Sequence, residues 1–140
     1  LANVLALEKA LELALTNQEA RYNYLKELGD MIKSHLSEYK NVSINSRENS
    51  LPSIINFSLI GEKSLTILDK FEEHNIILSA KTSCCPITTP SKLVYALTKD
   101  KQKASSSIRV SLSYKTTKEE VEEFMKVFDL IYKEIYHGEV

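Results

Sequence analysis

Glycine is scarce in this chain, three in 140 residues, and Gly29, Gly61 and Gly138 lie too far apart to build a G-x-G-x-x-G fingerprint or a P-loop. A glycine-lined cradle for nucleotide phosphates is thereby excluded. Histidine is equally sparse: His35, His74 and His137 are scattered with no ligand spacing that would complete a zinc site, so no metal is expected. Neither sign of charge is in excess, with 18 Lys and Arg against 19 Asp and Glu. No net field therefore draws the chain to nucleic acid or to an anionic membrane. No apolar run approaches the roughly 20 residues that span a bilayer, and the first residues alternate charge with leucine instead of forming a signal peptide. The chain reads as soluble and cytoplasmic.

Cysteine is limited to the adjacent pair Cys84 and Cys85. Neighbours have Cα atoms about 3.8 Å apart, whereas ordinary disulfides need about 4.4 to 6.8 Å, so the two are thiols and not a staple for each other. None is needed, because a domain of this size buries roughly 70% of the surface its unfolded chain exposes. Residues 1–140 read as one domain. Leu1 stands where an initiator methionine would, already inside a helical pattern, and the expectation is a piece of a longer protein.

What is present is patterned. Val4, Leu7, Leu11, Leu15, Tyr22, Leu25, Leu28, Ile32 and Leu36 recur at three-or-four spacing, predicting one long core helix, or two if the turn-formers Thr16 and Asn17 break it. Val42 and Ile44, then Ile55, Phe57 and Leu59, alternate with polar neighbours and predict two strands joined by a loop over 46–52. Leu65, Leu68 and Phe71 mark a helix that Asn75 can end in a left-handed conformation. Residues 76–79 read as a third strand and 99–107 as a polar loop. Between them Thr89 caps, and Pro90 opens, a helix over 91–97. Residues 107–113 alternate cleanly, placing Ile108, Val110 and Leu112 on the core face and Arg109, Ser111 and Ser113 on the other. Thr117 and Glu120 form a capping box before a helix with Val121, Phe124, Phe128, Ile131 and Ile135 on one stripe. The fold expected is α+β: a small mixed or antiparallel four-stranded sheet, helices on one face, and a long N-terminal helix.

Two features carry chemistry. Cys84 and Cys85 lie in the stretch Ser79-Ala80-Lys81-Thr82-Ser83-Cys84-Cys85-Pro86, beside a lysine and ahead of a helix start, where a thiolate would be accessible. The competing reading is a small buried hydrophobe, the commonest fate of free cysteine. Arg109 carries a guanidinium fork that matches a carboxylate bidentately, although an arginine on the solvent face of a strand is ordinary.

The order of the segments resembles the C-terminal small domain of cysteine desulfurases, pyridoxal-phosphate enzymes of the class V aminotransferase group. The resemblance runs through Ala2-Asn3-Val4-Leu5-Ala6-Leu7, Leu51-Pro52-Ser53-Ile54-Ile55-Asn56-Phe57-Ser58, the cysteine loop, and Ser107-Ile108-Arg109-Val110-Ser111-Leu112-Ser113 continuing to Thr116-Thr117-Lys118-Glu119-Glu120. In that family the loop usually reads Ser-Ser-Gly-Ser-Ala-Cys followed by Thr or Ser. Lys81, Ser83, Cys85 and Pro86 depart from it. The resemblance implies that Cys84 takes sulfur from L-cysteine as a persulfide and that Arg109 holds the substrate carboxylate. It also implies that pyridoxal phosphate and the lysine that binds it belong to a large domain absent from this chain, so that the isolated piece is inactive. A sulfur-acceptor protein, a role such as iron–sulfur cluster assembly, and a homodimeric full-length enzyme are implied as well. The alternatives are an aminotransferase or selenocysteine lyase of the same group, or a non-catalytic interaction module.

Overall fold

The structure is a computed structural model that describes residues 1–80, 86 and 89–136. A single helix, α1, runs uninterrupted over Ala2–Leu36. Thr16 and Asn17 do not break it, because their side chains donate back to the Glu12 and Leu13 carbonyls, each at 2.8 Å, four residues earlier. Only its C-terminal half joins the core, through Leu28, Ile32 and Leu36. The apolar stripe nearer its start stays in solvent, with Val4 64% and Leu15 71% exposed, so the core-helix expectation holds for about half its length.

Three strands form one antiparallel sheet in the order β1 (Val42–Ile44), β2 (Ile54–Leu59), β3 (Ser107–Ser111). Alternation decides the faces. Ile55, Phe57 and Leu59 of β2 and Ile108 and Val110 of β3 point into the core. There they meet α1, α2 (Ser64–Glu73) and the amphipathic α5 (Lys118–Ile135). Phe128 of α5 sits at the centre, its ring edge-on to Phe57 at 5.9 Å and to Tyr39 at 5.2 Å. The capping box that opens α5 is complete: the Glu120 amide donates to Thr117 Oγ1 at 3.2 Å, and the Thr117 amide donates to Glu120 Oε2 at 2.9 Å.

Gly29 lets α1 lie close on the segment entering β2. A Cβ at this position would overlap the Pro52 carbonyl oxygen. The start of β2, and with it the register of the polar face, is seated directly on this helix.

Four expectations need adjustment. Among the described residues, 76–78 form no strand, and the chain there pairs only at Ser79, by an isolated antiparallel bridge to Arg109. The Ile76 amide is instead taken by the Phe71 carbonyl as α2 ends, and Asn75 does adopt the left-handed turn, at φ 60°. The helix after the cysteines, α3 (Lys92–Thr98), is capped by Ser91 and not Thr89, the Ser91 Oγ accepting from the Val94 amide at 3.3 Å. Residues 99–107 contain a further short helix, α4 (Lys101–Ser105), capped by Asp100. That helix lies over the end of β2 opposite the core, where Ser58 donates to the Lys103 carbonyl at 2.8 Å, so helices reach both faces of the sheet.

Candidate functional site

Arg109 sits at the middle of β3, on the face away from the core, as its place in the alternation requires. Its backbone groups pair outward with Ser79, the Arg109 amide donating to the Ser79 carbonyl at 2.5 Å and the Ser79 amide returning a bond at 3.3 Å. On its other side it is in register with Asn56 of β2. The Asn56 carbonyl is occupied by the Asn45 and Ser46 amides, and its own amide donates to Ser46 Oγ. Asn56 and Arg109 are therefore a non-hydrogen-bonded pair, the kind whose Cα atoms approach to about 4.5 Å and whose side chains lie closest.

These residues line a cavity of about 290 Å³ between the polar face of the sheet and α3. Asn45, Ser46, Asn56 and Arg109 line it together with the buried Ala80 and Ser91, and Val94 and Leu97 of α3 supply apolar surface. No described lining residue is a carboxylate, while Arg109 and Lys92 are cationic, so the cavity suits an anion with a small apolar body. Two buried polar atoms of its lining residues have no hydrogen-bond partner among the described residues, the Arg109 Nε donor and the Asn45 Oδ1 acceptor. Unmet groups of this kind are uncommon in folded proteins and mark places where a ligand or water completes the bonding.

Ser79 is bridged to Arg109, and Ala80 lines the Arg109 cavity. The chain thus reaches this cavity at residues 79 and 80, four residues before Cys84 in the sequence. Cys84, Cys85 and Lys81 themselves lie outside the described residues. Asn45, Asn56 and Ser58 are not among the residues expected at a site; the one local signal for them is that Asn56 and Ser58 share the polar phase of β2, opposite the phase of Phe57.

A second polar cluster lies on the far side of the sheet and is structural. Asp129 of α5 accepts at one oxygen from Tyr39 OH, 2.5 Å away, and is 2.6 Å from His35 Nε2. Burial and the Asp129 carboxylate hold the Tyr39 phenol above its ordinary pKa. Burial likewise pushes the Tyr136 phenol up to about 12, and its hydroxyl donates to the Ile60 carbonyl at 2.8 Å.

Comparison with known proteins gives a consistent picture. The sequence profile of the aminotransferase class-V family matches residues 1–124. Over 138 residues the chain is 28% identical to the cysteine desulfurase IscS of Clostridium botulinum, covering 95% of this chain and 35% of that protein. It is 29% identical over 137 residues to a NifS/IcsS protein homolog of Lactobacillus delbrueckii, again covering 95% and 35%. Among solved structures, a NifS-like protein of Rickettsia africae superposes with a TM-score of 0.74 at 28% identity, over 86% of this chain and 31% of that one. The chain thus spans about a third of the length of the curated relatives it matches.

Proposed function

The chain belongs to the aminotransferase class-V family, and we propose that it is the small-domain portion of a cysteine desulfurase, in which Cys84 accepts sulfur and Arg109 holds the substrate carboxylate. The observation that carries this reading is the Ser79–Arg109 bridge. It ties the root of the Cys84 segment to the wall of a cavity whose buried guanidinium nitrogen has no partner among the described residues.

In this reading L-cysteine enters with its carboxylate on Arg109, a charge-assisted pairing that fixes the direction of the side chain. The Cys84 thiolate attacks the substrate sulfur. A new S–S bond forms, the Cβ–Sγ bond breaks with its electron pair left on carbon, and a proton on that carbon gives alanine and a Cys84 persulfide. Cleavage on the carbon side requires an electron sink, the chemistry that pyridoxal phosphate supplies when bound. The described cavity does not fit that group by itself, since none of its described lining residues is a carboxylate to pair with a pyridinium nitrogen. Its lysine and other ligands are assigned to the parts of the full-length enzyme outside this chain, a homodimer that passes the persulfide sulfur to an acceptor protein. Alone, the chain would have no desulfurase activity.

The test uses the full-length protein. Given L-cysteine, it should release alanine and sulfide in the presence of a thiol reductant. Cys84→Ser should abolish turnover and the persulfide seen by mass spectrometry, while Cys85→Ser should retain both. Equal activity in the two variants would refute the assignment of the nucleophile. Release of selenide from L-selenocysteine but no sulfide from L-cysteine, or transfer of an amino group, would move the protein to another branch of the family with Arg109 in the same role.

A further inference from the structure

The direction of one hydrogen bond beneath α4 decides how an amide is presented to the Arg109 cavity. Because α4 ends at Ser105, the Lys103 carbonyl belongs to the last turn and has no intrahelical partner. Ser58 Oγ lies 2.8 Å from it. A carbonyl can only accept, so the single Ser58 hydroxyl proton is committed there. The Asn45 side chain lies 2.8 Å from Ser58 Oγ, and since that oxygen has no proton left to give, the atom facing it must be the Asn45 NH₂. The same Nδ2 is 2.8 Å from the Asn56 amide, which must answer with its oxygen. With Oδ1 so engaged, the Nδ2 group of Asn56 is the end of its amide left without a partner among the described residues, on a side chain that lines the cavity and is the cross-strand neighbour of Arg109.

Asn45 bears the cost of this arrangement. Both of its N–H bonds are used to hold Ser58 and Asn56, and its Oδ1 is left buried with no partner among the described residues. Such an unmet group stands against stability alone as the reason for the relay.

We propose that Asn56 is a second carboxylate-binding residue. Its Nδ2–H₂ donates to the anion held by the Arg109 guanidinium, and the Lys103–Ser58–Asn45 relay prevents the amide from flipping its oxygen toward that anion. This rests on the reading of Arg109 as a carboxylate clamp and adds a neutral partner that would distinguish a planar carboxylate from a diffuse negative charge.

The experiment is a titration of the ¹⁵N-labelled chain with L-alanine, and separately with L-alaninamide, which lacks the carboxylate. The Arg109 Nε–H and Asn56 Nδ2–H₂ resonances should move along one saturation curve with L-alanine and stay fixed with the amide. Asn56→Asp keeps an oxygen for Asn45 to donate to but replaces the donor with an anion, and it should weaken L-alanine binding by about tenfold or more. A shift at Arg109 without one at Asn56, no shift at either, or unchanged affinity in a well-dispersed Asn56→Asp chain would each overturn the proposal. Turnover of L-cysteine by the full-length protein reports separately on the desulfurase reading. If both resonances move yet no sulfide is released, the carboxylate pair stands and that reading falls.

Discussion

Replacing Gly29 by alanine sets two effects of opposite sign against each other. In an exposed helix interior, alanine is more favourable than glycine by about 1 kcal/mol. In α1, however, the added Cβ would overlap the Pro52 carbonyl oxygen and stand near Ile55 Cδ1, at 3.8 Å. The obstacle is backbone, and it cannot swing aside. The Leu51 carbonyl accepts from the Ile54 amide at 3.1 Å, and the Ser53 carbonyl accepts from the Leu112 amide at 2.8 Å, so Pro52 is held from both sides. Relieving the overlap requires lifting α1 off β2, where Leu28 and Ile32 are fully buried, and overpacking of this kind costs roughly 1–3 kcal/mol or more. Set against the propensity gain of about 1 kcal/mol, this leaves a net loss of up to about 2 kcal/mol. Urea unfolding followed by far-UV circular dichroism should show a lower midpoint with an unchanged slope, and thermal unfolding a fall of about 4 °C for each kcal/mol lost. A stabilisation near 1 kcal/mol, the propensity effect alone, would refute the close approach of α1 to Pro52.

Two further outcomes follow from other parts of the fold. Thr117→Ala removes the side-chain half of the α5 capping box and should cost about 1 kcal/mol, with Thr117→Ser recovering most of it in the same denaturation assay. Alkaline titration at 295 nm should show Tyr39 and Tyr136 titrating late, both raised above the ordinary value near 10. Raised folded-state values mean that the native state keeps protons the unfolded chain has lost. Stability should therefore be full below about pH 10 and fall as pH climbs toward 12. Late titration that persists in Tyr39→Phe,Tyr136→Phe would show that other phenols are responsible.

The sequence made α5 and β3 readable because each carries its signal locally. A capping box plus a single apolar stripe specifies the helix, and strict alternation puts Arg109 opposite Ile108. Residues 76–78 were harder. An apolar run resembles a strand, but what makes a strand is a partner, and among the described residues the pairing here is confined to Ser79. The five residues of α4 are too few to show a helical period, so only Asp100, whose carboxylate accepts from the Gln102 and Lys103 amides, signals it. The Lys103–Ser58–Asn45–Asn56 relay draws on β2, α4 and the residue after β1, and no local pattern announces a contact whose members are brought together only by folding.

The bridge at Ser79 also covers an edge. Among the described residues β3 is an outer strand of the sheet, and an unpaired strand edge is a template for pairing with another chain. The Ser79 amide and carbonyl take both backbone groups of Arg109 at the middle of that edge, so a foreign strand could not add there without first displacing residue 79.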